Sequence, residues 1–183
     1  MSKIVHSKES SNKLKVIWSY FDGARQMPRG VFISFQHDDL DQAKGFALLQ
    51  WNKNIDFNFR GRHLLSPVDS ENDSYIRQKI REMMRGTSVT VVLIGDHTKD
   101  SEWVEFEVQE SIARRNAVVG IRLKDHDNTT IPDVLKQNNC KVINWNPAIF
   151  SDVVEREALI AGRVPQGPPQ FPKTVIGGCA RAI

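Results

Sequence analysis

A tryptophan and a glutamate one helical turn apart, within Ser101-Glu-Trp-Val-Glu-Phe-Glu-Val-Gln-Glu-Ser-Ile, form the most suggestive chemical constellation in this chain. At about 100° per residue, Val104, Val108 and Ile112 make an apolar seam, while Trp103, Glu107, Glu110 and Arg114 share the neighbouring stripe. Glu107 then borders the buried side. If this helix begins at the carboxyl end of a strand, its carboxylate looks into the crevice where open α/β sheets collect ligands. The plainer assignment makes Glu107 an exposed helix residue and pairs Glu110 with Arg114 at i, i+4, worth about 0.3–0.5 kcal/mol. It also makes Trp103 a packing residue rather than a stacking platform. Other polar groups expected at strand ends are His37, Asp38, Arg60 and Asp96. No GxGxxG follows the first strand, and GxxxxGK[ST], GxSxG, HExxH and paired CxxC are all missing, which removes the common phosphate loops, the hydrolase elbow and zinc chemistry. The 5 histidines are scattered, so no metal site is expected.

The elements that must hold these residues alternate between strand and helix. Val31 to Phe35 (VFISF) reads as a buried strand, Leu40 to Trp51 as a helix, and Ile55 to Phe59 as a second strand followed by a loop from Arg60 to Asn72. Asp73 or Ser74 can cap a helix that stops at Gly86. Thr87 to Gly95 (TSVTVVLIG) is the most hydrophobic stretch and reads as the central strand, buried on both faces. A helix from Ser101 to Arg115, a strand from Ala117 to Leu123 (AVVGIRL), a short strand from Val142 to Asn144 and a closing helix from Pro147 to Ala161 complete the series. Strands joined by helices imply right-handed crossovers onto a parallel sheet. The expected class is therefore α/β, a flavodoxin-like three-layer sandwich with a five-stranded parallel sheet.

With 183 residues, 40% of them apolar and 26% charged, the chain fits one globular domain with appendages. Its 25 Lys and Arg nearly balance 22 Asp and Glu, so the net charge of +3 does not call for a nucleic-acid partner. The 2 cysteines, Cys140 and Cys179, are too few for a disulfide framework and suit a reducing cytoplasm. The N-terminal stretch sustains no apolar run, which predicts neither a secretory signal nor a membrane span. Residues 1–28 are polar apart from Val16, Ile17, Trp18, Tyr20 and Phe21, and read as an extension that docks or oligomerises through that patch. Residues 29–161 make the domain. Residues 162–183 hold 4 of the 8 prolines within one short span and read as a Pro/Gly-rich tail.

The strand VFISF ending in polar residues, the amphipathic helix before TSVTVVLIG, and Ser101-x-Trp103-x-x-x-Glu107 followed by AVVGIRL resemble the TIR-like family. Their pattern is most similar to the TIR subunit of Thoeris anti-phage defence systems. The resemblance spans about residues 29 to 145, and Thr87 to Leu123 is its specific part. It implies that Glu107 is the catalytic residue. It also implies that the loop from Phe35 to Asp39 and the loop from Arg60 to Asn72 border the substrate, which makes Phe35, His37, Asp38 and Trp103 candidate substrate-binding residues. The implied activity is cleavage of the nicotinamide–ribose bond of NAD+, with NAD+ as substrate and no further cofactor. The implied product is a cyclic ADP-ribose isomer or a related signal that reaches a separate effector by diffusion, with self-association on activation and no membrane partner.

One carboxylate without a metal suits that chemistry. Nicotinamide leaves as a neutral group from a cationic ring, so no general acid is needed, and the transition state resembles an oxocarbenium ion. A carboxylate can accept hydrogen bonds from the ribose hydroxyls and set negative charge beside that cation. Trp103 or Phe35 could stack on a base or shield the cation from water. Competing classes are a non-catalytic TIR scaffold that signals by self-association and a receiver-like phospho-acceptor using Asp38, Asp39, Asp96 and Lys124. A flavin-binding flavodoxin would need a Ser/Thr/Gly phosphate loop after the first strand, and this sequence has none there.

Overall fold

Five segments pair side by side, all parallel, in the order β2-β1-β3-β4-β5. They are β1 (Arg29–Ser34), β2 (Phe59–Arg62), β3 (Val89–Ile94), β4 (Ala117–Arg122) and β5 (Lys141–Ile143). The computed structural model describes residues 28–55, 59–62 and 72–162. The candidate patch at residues 16–21, the Pro-rich tail beyond Gly162 and most of the loop after β2 lie outside the described residues. Every residue of β3 is buried, as expected of a central strand covered by helices on both sides.

Right-handed crossovers place α1 (Leu40–Leu48) and α5 (Phe150–Ile160) on one face, and α2 (Asp73–Met83), α3 (Glu102–Ala113) and α4 (Asp133–Gln137) on the other. Strand periodicity divides the core accordingly. Val31, Ile33, Val89, Val91 and Leu93 pack with Phe46, Phe150 and Val153 toward α1 and α5. Phe32, Val92 and Ile94 turn to the other side, against Ile80, Val104 and Val108. The expected flavodoxin-like α/β sandwich is therefore present, with its switch point between β1 and β3.

Several boundaries differ from expectation. The second strand is Phe59–Arg62 rather than Ile55 to Phe59, with Arg29 opposite Phe59. An edge strand needs few buried side chains, and Phe59 supplies one while Arg60 and Arg62 face solvent. Asn72, not Asp73 or Ser74, caps α2, its side chain accepting a hydrogen bond from the Tyr75 N–H at 3.2 Å. Gly86 does end that helical segment, with φ of +74°. The α4 turn was not expected: its five residues are too few to show a helical period, although Val134 and Leu135 are buried. The expected closing helix opens as a 3-10 turn at Pro147–Ile149, with Asn146 as its cap. Among the described residues, no helix is long and apolar enough to cross a membrane.

Arg29 ties the first strand to the last helix. Its guanidinium, 1% exposed, grips the Glu155 carboxylate with two nitrogens, Nε at 2.7 Å, and donates to Ser88 Oγ at 3.0 Å. Beside it, the α-carbon of Gly30 lies against the Gly86 carbonyl, where a β-carbon would overlap the oxygen. Backbone cannot swing aside as a side chain can. Gly30→Ala is expected to lower stability by about 1–3 kcal/mol, read as a lower urea midpoint with an unchanged slope.

Candidate active site

Ser101 starts α3, its Oγ accepting from the Val104 N–H at 3.4 Å. That helix start follows the β3 loop, at the carboxyl end of the sheet, and two turns of helical phase carry Glu107 back over β1. Glu107 is 8% exposed, and among the described residues it has no ion pair. Desolvation pushes its carboxyl up from 4.5 to about 8. The Ser34 hydroxyl, at the last position of β1, acts in the opposite sense and is too weak to offset burial. Ser34 Oγ lies close enough to favour the ionised carboxylate, yet it completes no hydrogen bond of full geometry and is buried without a partner. Glu107 is thus a neutral acid near pH 7, held beside a hydroxyl that would assist its ionisation.

A hydroxyl relay fixes the helix backbone at this residue. Ser111 Oγ donates to the Glu107 carbonyl at 2.7 Å and shares a 2.7 Å hydrogen bond with Thr90 Oγ1 of β3. All of these groups are buried, so the contacts form away from competing water.

Trp103 stands one turn before Glu107 but is engaged in packing. Its ring meets Phe106 edge-on at 6.5 Å, and Arg77 of α2 lies 5.3 Å above it. Glu110 pairs with Arg114 at 2.8 Å, as the plain i, i+4 assignment has it, and also with Arg81 at 3.0 Å. Phe35 continues the β1 alternation onto the α1 and α5 side, where it is partly buried against that core. Phe35 and Trp103 therefore lie on opposite faces of the sheet. His37 and Asp38 sit exposed on a 3-10 turn, His37–Asp39, that leads into α1. No hydrogen bond joins either to Glu107 among the described residues. Glu107 and the end of β1 are brought together, and among the described residues no polar contact joins Trp103, His37 or Asp38 to that carboxyl.

A second polar knot closes the loops beside it. Thr98 Oγ1 accepts from the Gly95 N–H at 2.8 Å and lies 3.4 Å from Asp39 Oδ2. His126, from the loop after β4, meets Asp96 Oδ1 at 2.9 Å. Burial raises the pKa of Asp39, and the neighbouring Asp38 and Asp96 add to this, against opposing effects from His126 and Thr98. Sequence reasoning named Asp96 as a strand-end group and as part of a receiver site, and Asp39 within the loop after β1 and in that same receiver site, but missed Thr98 and His126. Their proximity depends on three separate loops and leaves no local signal. Among the described residues, no group of three His, Cys, Asp or Glu side chains is arranged to hold a metal ion.

A parallel sheet of order β2-β1-β3-β4-β5 with helices on both faces defines a flavodoxin-like α/β domain. Residues 32–128, more than half of the 183-residue chain, match the model of the family described as "Thoeris protein ThsB, TIR-like domain". The chain belongs to that family. It is also 29% identical over 101 residues to the Bacillus cereus (strain MSX-D12) protein named "Putative cyclic ADP-D-ribose synthase ThsB1". That alignment covers 53% of each chain, so the match spans about half the length of this curated relative.

The raised carboxyl has a consequence for stability. In the unfolded chain Glu107 would ionise near 4.5, and in the folded chain near 8, so the folded state holds the extra proton between those limits. Its contribution is fully present below pH 4.5 and is lost as the pH rises through 8. Glu107→Gln keeps the neutral shape. It should gain on the wild type steadily between about pH 5 and pH 8.5, by roughly 3–5 kcal/mol in total. Urea midpoints measured across that range check this, and parallel curves for the two proteins would contradict a buried acid.

Proposed function

We propose that this protein is an anti-phage TIR enzyme that breaks the nicotinamide–ribose bond of NAD+ and forms a cyclic ADP-ribose isomer, with Glu107 as the catalytic residue. The observation that carries this reading is the buried Glu107 carboxyl, without a cation of its own among the described residues, behind the β1/β3 switch point and inside the segment that matches the family. Membership of the Thoeris ThsB TIR-like family and the name of the Bacillus cereus relative support the reaction class.

The electrostatics fit a cationic substrate. A neutral carboxyl with no ion pair gives up its proton when a positive charge arrives beside it, because the opposite charge repays part of the desolvation. The nicotinamide-bearing ribose of NAD+ brings such a charge. As the C1′–N bond lengthens, nicotinamide leaves with the electron pair and positive charge moves onto the ribose ring. The Glu107 carboxylate then faces a developing oxocarbenium ion and can accept a hydrogen bond from a ribose hydroxyl. Capture of C1′ by an adenine nitrogen or a ribose hydroxyl of the same molecule, with loss of a proton from a capturing hydroxyl, closes the ring. Capture by water gives ADP-ribose. His37 and Asp38 border the crevice from the β1 side in this reading, Phe35 supports the end of β1 from the opposite face of the sheet, and Trp103 anchors α3 through its packing. The cyclic product serves as a diffusible signal for a separate effector, and the protein self-associates when active.

A second reading is a scaffold that signals by association alone. It is favoured by the exposed apolar side chains of Leu48, at the end of α1, and Trp51, in the 3-10 turn that follows it, which are 65% and 75% exposed. The two readings part on one experiment. Incubation of the pure protein with NAD+ is expected to release free nicotinamide, followed by chromatography and mass spectrometry, and Glu107→Gln is expected to cut release by about a hundredfold or more. A protein that releases none in its assembled form is the scaffold. A Glu107→Gln variant at full rate removes the carboxyl from the mechanism.

A further inference from the structure

Three hydroxyls lie buried on the side of the sheet that faces α3, and two of them are satisfied. Thr90 Oγ1 and Ser111 Oγ bond each other at 2.7 Å, and Ser111 donates on to the Glu107 carbonyl at 2.7 Å. Ser34, 1% exposed, is the exception: its Oγ is the buried side-chain polar atom left without a hydrogen-bond partner among the described residues. A buried hydroxyl without a partner costs stability, and alanine at the end of β1 would avoid that cost. What stands beside Ser34 is the Glu107 carboxyl.

We propose that Ser34 is a positioning residue for Glu107: its hydroxyl donates to one oxygen of the carboxylate once that group ionises, and leaves the other oxygen for the substrate ribose. A charged acceptor holds such a donor more strongly than the neutral acid does. The other charged groups nearby are occupied. From α2, Arg77 stacks on Trp103 and Phe106, and Arg81 binds Glu110. Glu110, on α3 itself, is also held by Arg114. At the loops after β3 and β4, Asp96 and His126 pair with each other, and Asp39 is held by Thr98. Among the described residues, Ser34 is therefore the hydrogen-bond donor available to this carboxylate. The assignment rests on Glu107 being the catalytic group, but its physical content can be read without turnover.

The test compares Ser34→Ala with the wild type in two ways. Carbon-13 NMR titration of the Glu107 carboxyl in the unliganded protein should show its midpoint higher by about one pH unit in Ser34→Ala, the loss expected for one hydrogen bond to a charged group. The acid limb of the NAD+ turnover profile should move upward by the same amount. Turnover at pH 7 then falls by up to about tenfold and recovers toward the wild-type rate at higher pH, while Tm stays level or rises. An unmoved midpoint, or a loss of rate by the same factor at every pH, overturns the proposal. If neither protein releases nicotinamide, the catalytic reading fails, while the midpoint still decides the contact between Ser34 and Glu107.

Discussion

The exclusion of water from one carboxyl sets the electrostatics of the β1/β3 junction. Glu107 is carried by a helix that must pack its Val104 and Val108 seam onto β3 and β4. The same helical phase that buries those valines turns the acid toward the sheet. An exposed glutamate would be ionised and screened by solvent, and would exert little force on a passing cation. A buried one is neutral until a charge arrives that makes ionisation favourable. Packing and reactivity are therefore set by a single rotation of α3, and a shift in that rotation alters both together.

The neighbourhood is built to hold that rotation. Ser111 and Thr90 lock the backbone at Glu107 to the central strand through contacts hidden from water. Trp103 and Phe106 fill the space toward α2, with Arg77 and Arg81 laid over their rings. Charge is placed on the outside of this joint, where Glu110 balances two arginines, and among the described residues the acid itself is the charged type of side chain in its interior. A low local dielectric follows from this distribution, and it makes the remaining titratable group sensitive to whatever approaches.

Much of the architecture can be read in the residues because hydrophobic runs and helical seams dictate it. TSVTVVLIG has one sensible placement, in the middle of the sheet, and the seam of α3 fixes which side of Glu107 is buried. The second strand was misplaced because Ile55 to Asn58 alternates more cleanly than Phe59-Arg-Gly-Arg, whereas pairing with β1 selects the latter. The α4 turn is too short for periodicity to report. Phe35 and Trp103 were grouped by chemistry, but the alternation along β1 sends Phe35 to the other face. Ser34 gave no signal at all, since a serine in a strand looks like any small residue until its hydroxyl is found without a partner. The meeting of Asp39, Thr98, Asp96 and His126 depends on three loops and is invisible in any one segment.

The grip of Arg29 on Glu155 joins opposite ends of the folded chain, 126 positions apart. A guanidinium that deep in a sheet is costly to leave unmatched, and its counter-charge is among the last residues of the domain to be made. While the polypeptide is still emerging from the ribosome, β1 therefore lacks what it needs to settle into the interior. The buried end of β1 is matched in charge only once α5 is in place, so the first strand and the last helix of the sheet depend on each other.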